Sequence, residues 1–570
     1  MKTKILSGVL ALSLSLGLCA CGQPAEPVKP SVDLVAEAAQ YTQSAQGNNG
    51  VVAAADPVAA AVGLQVLKDG GNAADAAIAT AFALSLTENA ASGIGGSGFM
   101  LYYDASENKS YALDYYYACP ANMVAADFKD ASLRKKGMGG IRAVVPGFVA
   151  GMAKANEMFS TKPLAELIQP TIDLAINGVE VTAFMGETYL DYYDTIMLYP
   201  ETARVFTDEG LPYGEGSIFK NPDLAKTLGI IAEKGPEGFY TGEVAQAIVD
   251  SQRATGSKMT LEDLANYDVV VTQPLESSYR GYKVVTMPPV SGGGLVLSML
   301  NLAEHFDMAA MEKGSAEYLH TWGEIMRLGN SDFSAYFEDP AMYPSVMPAV
   351  RGMITKEYAA ERIKLFKSNS TMELGPVGNP ADFDPESHTT HLSVVDKDGN
   401  MVTMTNTHGD FFGTLTTVTD YGFVLQNTTA FSGGVTYQPE PGKRARSPMS
   451  PTLIFTEDGK PYAAVGTPGS GRIPTTIALI ISNMIDYGMD LKDAVDAPRI
   501  YQARNENLTI EGGFDKEAVE PVLKKLGHEM TWRVANDSFF GGAHCVSVDP
   551  ETGVRAGAAD SRRSGVAAAY

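Results

Sequence analysis

Two threonines at the open end of a predicted β-hairpin are the residues of this sequence best placed for nucleophilic chemistry. Two short runs rich in β-branched residues flank Asp398-Gly399, a dipeptide that is a strong turn signal. A turn centred there places Thr389, at the start of the first strand, beside Thr407 at the end of the second. Threonine is also common in strands because of its β propensity, so the pair alone does not establish a site.

The residues around Thr389 carry a more specific signal. The run Glu386-Ser-His-Thr-Thr-His-Leu-Ser-Val-Val-Asp-Lys-Asp-Gly-Asn400 resembles the cleavage-site segment of γ-glutamyltransferases, which are N-terminal-nucleophile (Ntn) hydrolases. In that family the threonine cuts the peptide bond before it, and its hydroxyl is then the nucleophile. The freed α-amine can act as the general base that such a hydroxyl needs. The resemblance places the cut between His388 and Thr389 and gives Thr407 the role of supporting the nucleophile.

Motifs in the order of the same family cover nearly all of the chain after residue 49. They lie at residues 70–77, 95–100, 143–151, 235–240, 264–267, 279–282, 287–294, 447–452, 466–472 and 557–562. The resemblance implies an α/β (α+β) fold, a four-layer αββα sandwich. It also implies a large subunit, 50–388, and a small subunit, 389–570, cut from one precursor and held as a heterodimer.

The glycine-rich run Gly466–Arg472 is predicted to form a tight turn with exposed backbone N–H groups. In the family, the residues matching Gly469 and Ser470 supply the oxyanion hole. The family has glycine where this chain has Ser470. A backbone donor survives that change if the dihedral angles suit a residue with a side chain.

The substrate-binding positions depart from the family. The arginine that holds the α-carboxylate of a γ-glutamyl group is replaced by Tyr116, and one of two paired serines remains as Ser447. The asparagine expected two residues after Thr407 is Gly409, and the residues for the α-amino group align with Thr428 and Ala430.

Three clustered residues near the departed positions are candidates for replacement contacts, although a solvated surface position is the favoured explanation for each of them alone. The candidates are Arg446, His408 and Asp410. The segment 432–443 is also short compared with family members that carry a lid there, which suits a longer peptide or polymer substrate.

The N-terminus reads as a bacterial lipoprotein signal. Lys2 and Lys4 precede an apolar core, and Leu18-Cys-Ala-Cys21 resembles a lipobox in which Cys21 becomes lipidated. We expect residues 1–20 to be the signal peptide, 21–49 a flexible tether, and the protein to be exported and anchored outside the cytoplasm. An ordinary secretory signal cut nearby is the alternative.

Amino-acid composition excludes several classes of binding partner. The 570 residues, 45% hydrophobic and 19% charged, fit a globular protein, and the net charge of −24 argues against nucleic acid or an acidic membrane surface as partner. Membrane contact is expected through the lipid anchor alone. Cys119 and Cys545 are predicted to be buried thiols, with a disulfide as the alternative.

No cofactor or metal is predicted. The run 93–98 matches G-x-G-x-x-G, but it follows a helix and enters a strand, which is the wrong context for a dinucleotide. Three of the seven histidines (His388, His391 and His408) lie near the hairpin without a cysteine or carboxylate at ligand spacing, and His391 is read as structural.

Three functions remain open. The first is a self-processing hydrolase or transferase acting on γ-glutamyl compounds or a related amide, with a small molecule or peptide as substrate. The second is an acylase or glutamyl-polymer depolymerase of the same mechanism. The third is a catalytically silent surface lipoprotein.

Overall fold

The computed structural model describes residues 32–124, 127, 139–336, 338–374, 388–428, 439–504 and 506–570. Residues 34–570 form one compact unit. The predicted signal peptide, Cys21, Ala430 and residues 432–438 of the shortened lid segment lie outside the described residues.

Two seven-stranded sheets form the centre of this unit. The first has the order β21-β2-β12-β13-β3-β4-β9 and the second the order β1-β20-β19-β15-β14-β11-β10. In chain order the strands are β1 Ser44–Gly47, β2 Val51–Ala54, β3 Ser97–Asp104, β4 Lys109–Tyr115, β5 Val179–Glu180, β6 Thr207–Asp208, β7 Leu211–Pro212, β8 Ile218–Phe219, β9 Val270–Thr272, β10 Leu275–Tyr279, β11 Tyr282–Thr286, β12 His388–Val395, β13 Met401–Gly409, β14 Thr452–Phe455, β15 Pro461–Val465, β16 Ile500–Tyr501, β17 Leu508–Ile510, β18 Met530–Trp532, β19 His544–Val548, β20 Arg555–Ala559 and β21 Val566–Ala569.

Helices cover the outer faces of both sheets. Those described are α1 Leu34–Ala38, α2 Pro57–Lys68, α3 Ala73–Thr87, α4 Phe148–Phe159, α5 Leu164–Asn177, α6 Ala183–Ile196, α7 Pro200–Phe206, α8 Pro222–Lys234, α9 Glu237–Tyr240, α10 Gly242–Arg253, α11 Leu261–Ala265, α12 Gly293–Ala303, α13 Ala316–Tyr336, α14 Val346–Met353, α15 Lys356–Arg362, α16 Ile473–Ile485, α17 Leu491–Asp496 and α18 Lys516–Leu526. None of these helices combines the length and apolar character that a membrane span requires.

The alternation of side chains along the strands builds the layers. On β2, Val52 and Ala54 pack with α2 and α3, whereas Val51 and Ala53 face the second sheet. Because successive residues of a strand point to opposite faces, each central strand buries both faces. The result is the predicted αββα sandwich.

The tether prediction is wrong for residues 34–49. This stretch contains α1 and the edge strand β1, which pairs with β20 from Ser44↔Ala558 to Gly47↔Arg555. Its polar, alanine-rich composition resembles a linker, but its backbone hydrogen bonds are made to the far end of the chain. Local composition carries no record of that pairing.

Local capping explains the starts of helices α2 and α3. The Asp56 side chain accepts from the N–H groups of Val58 and Ala59 with Pro57 in the first turn, and Asn72 with Asp75 forms a capping box. The two helices pack closely at Gly63, where an added Cβ would lie 2.1 Å from Thr80 Oγ1.

Gly63→Ala is therefore expected to destabilise the protein even though alanine favours helices. Overpacking of this kind costs about 1–3 kcal/mol, more than the ~1 kcal/mol that the change gains in helix propensity. The matched control is Gly229→Ala in α8, where nothing lies within 4 Å of the new Cβ. Thermal unfolding should show a lower midpoint for Gly63→Ala and an equal or higher one for Gly229→Ala. Equal midpoints for both would contradict the close packing.

Candidate active site

The hairpin register brings the two threonines together as the sequence predicts. Thr389 on β12 pairs with Thr407 on β13, and the Thr389 hydroxyl donates to Thr407 Oγ1 at 3.4 Å. Thr407 Oγ1 also accepts from the backbone N–H of Gly409 at 2.8 Å. Both threonines are buried in the intact chain, and a bulge falls between His388 and Thr389. The predicted cleavage bond thus lies where the regular ladder begins.

His391 joins the two hairpin strands next to the threonine pair, which is the structural role that the sequence indicates. Its Nδ1 is 2.8 Å from Thr405 Oγ1 across the hairpin, and its ring lies so close to Gly466 that an added Cβ there would be 2.1 Å away. Burial lowers the pKa of His391 well below its usual value, so the ring is neutral at physiological pH. The contact also brings the start of the glycine turn to the nucleophile strand.

The glycine turn follows β15 and presents unused backbone donors. Gly469 has φ +135° and Ser470 has φ +55°, after which a 3₁₀ turn leads into α16. In the described part of the chain, the N–H groups of Gly469 and Ser470 donate to no acceptor. Ser470 accepts the left-handed conformation, and its buried hydroxyl has no partner among the described residues. Both predicted oxyanion donors therefore survive the glycine-to-serine change.

Two buried carboxyl groups lie close to each other near the nucleophile strand, where the sequence indicated at most a helix cap. Glu88 ends α3 and Asp56 caps α2. Burial raises the pKa of Glu88 to about 7, opposed by the charge of Arg563 and by Thr390, and raises the pKa of Asp56 to about 6. The one sequence signal of Glu88 is a charged residue at the end of an alanine-rich helix, which also fits a simple cap.

Arg563 is a residue that the sequence did not single out. Its Nη1 donates to the carbonyl oxygen of Thr389 at 3.2 Å, and its guanidinium lies 4.8 Å above the ring of Phe184. It directly follows the terminal motif 557–562. The family motif indicated that this part of the chain matters, but no neighbouring residue in the sequence indicates that Arg563 contacts Thr389.

A buried ionic network holds the terminal motif. Asp560 pairs with Arg499 at 2.6 Å and with Arg562 at 2.9 Å, and Arg562 pairs with Glu511 at 2.6 Å. The two arginines hold the pKa of Asp560 well below its usual range despite burial. Because each charge has a partner, the network fixes the backbone that leads to Arg563.

Neutral polar side chains occupy the position of the family's carboxylate-binding arginine. Tyr116 is buried and stacks on Phe99 with 5.1 Å between ring centroids; burial raises the pKa of its hydroxyl, and the nearby Ser447 and Gln426 side chains oppose that shift. Beside it, the Tyr117 hydroxyl is 2.5 Å from Thr428 Oγ1. The structure thus brings together Tyr116, Ser447 and Thr428, three of the predicted substrate-binding residues.

The three candidates for replacement contacts, His408, Asp410 and Arg446, each interact with other protein groups in the described part of the chain. His408 is buried against Gly93 and Gly96, and burial lowers its pKa to about 4, so it supplies no positive charge at neutral pH. Asp410 accepts from the side-chain amide of Asn427. Arg446 is buried, and its charge acts on Glu338.

Steric crowding explains why this chain has glycine at position 409. Its φ is +85°, and a Cβ at this position would lie 2.4 Å from Asn427 Oδ1. The family's asparagine would not fit here.

One buried arginine does lie near Tyr116, but its guanidinium is occupied. Arg444 pairs with Asp114 at 3.3 Å and donates to the carbonyl of Asp268 at 2.5 Å. Among the described residues, no group of three or more His, Cys, Asp or Glu side chains could hold a metal ion.

Comparison with known proteins agrees with this geometry. The sequence profile of the gamma-glutamyltranspeptidase family matches residues 59–570. The glutathione hydrolase proenzyme of Bacillus subtilis (strain 168) is 34% identical, over 93% of this chain and 92% of that protein. The acylase ACY 1 proenzyme of Pseudomonas sp. (strain SE83) is 31% identical, over 94% of this chain and 96% of that protein.

Similarity extends to solved structures. The cephalosporin acylase from Bacillus halodurans superimposes with a TM-score of 0.83 at 28% identity, over 96% of this chain and 99% of that one. Together with the profile match, these similarities show that the chain belongs to the gamma-glutamyltranspeptidase family of Ntn hydrolases and is an enzyme of that family.

Proposed function

We propose that this chain is a self-processing amide hydrolase that cuts itself after His388 and then forms an acyl-enzyme on Thr389. The observation that carries the proposal is the pairing of Thr389 with Thr407, with a hydroxyl–hydroxyl distance of 3.4 Å. Threonine is a weak nucleophile until a base accepts its proton, and self-cleavage creates such a base on the same residue.

The first step uses the intact chain. The Thr389 hydroxyl adds to the carbonyl carbon of His388 and the bond to the Thr389 nitrogen breaks, so that an ester replaces the peptide bond and the nitrogen takes the hydroxyl proton. Water then hydrolyses this ester, which leaves a carboxylate on His388 and a free amine on Thr389. The N–H groups of Gly469 and Ser470 are suited to stabilise the oxyanion of each addition.

Turnover repeats this chemistry on a substrate amide. The amine accepts the Thr389 hydroxyl proton, the oxygen attacks the substrate carbonyl, and the amine returns a proton to the leaving nitrogen. Thr407, which accepts from Thr389 and from Gly409, keeps the attacking oxygen in one orientation. Water or an amino-acid or peptide acceptor then takes the acyl group.

Cleavage should depend on the Thr389 hydroxyl. Thr389→Ala should stay whole because it has no nucleophile, whereas Thr389→Ser should cleave because it keeps the hydroxyl. The control is Thr390→Ala, which removes a neighbouring hydroxyl of the same strand. Intact mass and N-terminal sequencing give the readout, with a fragment that starts at residue 389 expected for wild type, Thr389→Ser and Thr390→Ala. A wild type that folds but stays whole would contradict the proposal.

For the substrate, we propose an acyl group without the free α-carboxylate of a γ-glutamyl donor. A buried carboxylate needs a charged or hydrogen-bonding partner, and a bidentate arginine is among the strongest. The position of that arginine is occupied here by Tyr116, in contact with Ser447 and Gln426. The named activity of the acylase ACY 1 relative supports this choice, and that of the glutathione hydrolase relative supports the γ-glutamyl alternative.

Three p-nitroanilides that differ only in the acyl group separate these substrates: γ-glutamyl, glutaryl and valeryl. The valeryl compound should be hydrolysed with a kcat/KM at least about tenfold above that of the γ-glutamyl compound, since an unpaired buried charge costs more than about 1.4 kcal/mol. Tyr116→Arg should raise γ-glutamyl turnover. Tyr116→Phe, which keeps the ring on Phe99, serves as the control. Faster γ-glutamyl turnover by the wild type would favour the alternative.

We also propose that the enzyme is an exported lipoprotein anchored through Cys21. The support is the charged start, apolar core and lipobox-like run that ends at Cys21. Cells fed a clickable fatty acid should label the wild type, and Cys21→Ala should lose both the label and the membrane fraction. Cys119→Ala is the matched control, because Cys119 is a buried thiol in the folded unit. Label that persists in Cys21→Ala would contradict the anchor.

A further inference from the structure

The nucleophile lies at a point where its strand has a neighbour on one side only. Strand β12 pairs with β13 from Thr389 onward, but its pairing with β2 starts at Leu392, opposite Ala54. Beyond Ala54 the chain turns away, because Asp56 and Pro57 begin α2. Among the described residues, no strand lies beside the first residues of β12 where β2 would continue.

Arg563 fills this gap for the nucleophile itself. The Thr389 carbonyl accepts from Arg563 Nη1 at 3.2 Å, a bond that a backbone N–H would supply in a longer β2. The next residues of the same segment join β21, where Val566 pairs with Ala54. The guanidinium thus lies just beyond the end of β2, where a longer β2 would pair with β12.

Other contacts hold the arginine in this place. Its guanidinium packs over the Phe184 ring, 4.8 Å from the centroid. Its backbone N–H donates to the backbone carbonyl of Asp560, whose carboxylate pairs with Arg499 and Arg562. In the described part of the chain no carboxylate lies within 4.0 Å of it, and Glu88 acts on it at longer range. An arginine so placed is oriented by packing and available to the Thr389 carbonyl.

The proposed cleavage makes this bond more important. Before cleavage, Thr389 is held by residues on both sides in the chain. After cleavage it is a chain terminus, and termini fray unless contacts tie them down. The remaining restraints on its backbone are the ladder to β13 and the bond from Arg563.

We propose that Arg563 is a positioning residue that holds the carbonyl of Thr389 in place of the missing strand neighbour and so keeps the freed terminus oriented for attack. This inference rests on the proposed self-cleavage but not on the identity of the acyl group. It assigns Arg563 a larger role in turnover than in self-cleavage.

The test compares Arg563→Met, Arg563→Lys and the control Arg533→Met. Arg533 also stacks on an aromatic ring, at 3.9 Å from Phe539, but it pairs with Asp537 and has no contact with the nucleophile. Acylation is measured with p-nitrophenyl acetate, an activated ester that needs no specific acyl pocket: the acetyl group passes to Thr389 and p-nitrophenolate leaves. Hydrogen exchange of the processed protein reports the order of residues 389–392.

We expect Arg563→Met to complete self-cleavage but to lose about 10²-fold in kcat, with KM within about threefold, because a small displacement of a nucleophile has an effect of that size. Exchange should rise in residues 389–392 and not elsewhere in the first sheet. Arg563→Lys should recover part of the rate, since its ammonium can still donate, and Arg533→Met should match the wild type.

Several outcomes would overturn the inference. If Arg563→Met keeps kcat within about threefold of the wild type, the carbonyl bond does not position the nucleophile. If KM rises and kcat does not change, Arg563 contacts substrate instead. If Arg563→Met does not fold, Arg563→Leu replaces it, and wild-type kcat together with wild-type exchange of residues 389–392 in that variant would overturn the inference.

The inference and the proposed function fail in different ways. A processed, active wild type with an equally active Arg563→Met removes only the inference. A folded wild type that is never cleaved removes the proposed function and takes the inference with it.

Discussion

The register between β12 and β13 is the constraint on which the site depends. Side chains alternate between faces along a strand, so a slip of one residue would turn Thr389 away from Thr407 and send the buried set of β12 to the opposite layer. Both faces of the first sheet are buried, by helices on one side and by the second sheet on the other. The packing therefore enforces the register, and the register sets the hydroxyl–hydroxyl distance.

A network of buried ion pairs lies close to this register. Arg499, Arg562, Asp560 and Glu511 satisfy one another in the interior, and loss of any one would leave a buried unpaired charge. That requirement explains why the terminal segment has one well-defined path across the active-site end of both sheets. The network thereby fixes the backbone position of Arg563, which contacts the nucleophile.

Sequence reasoning was most effective where the signal was local or repeated. The turn at Asp398-Gly399 predicted the pairing of the threonines, and the order of the motifs predicted the αββα sandwich. Prediction failed where contacts between distant parts of the chain determine the local structure. Residues 44–47 look like a linker but pair with β20, and neither Glu88 nor Arg563 carries a local mark of its place beside the nucleophile. Such contacts are set by the fold, which no short window of sequence contains.

The altered pocket follows from the same physics. An arginine at position 116 would need a carboxylate from substrate or protein, and the nearby Asp114 is already paired with Arg444. Tyrosine at this position adds no charge to the site, and Ser447 and Gln426 lie close to its hydroxyl. A carboxylate that entered would lose its hydration without gaining a cation. Under the proposed function, a neutral acyl group avoids that cost.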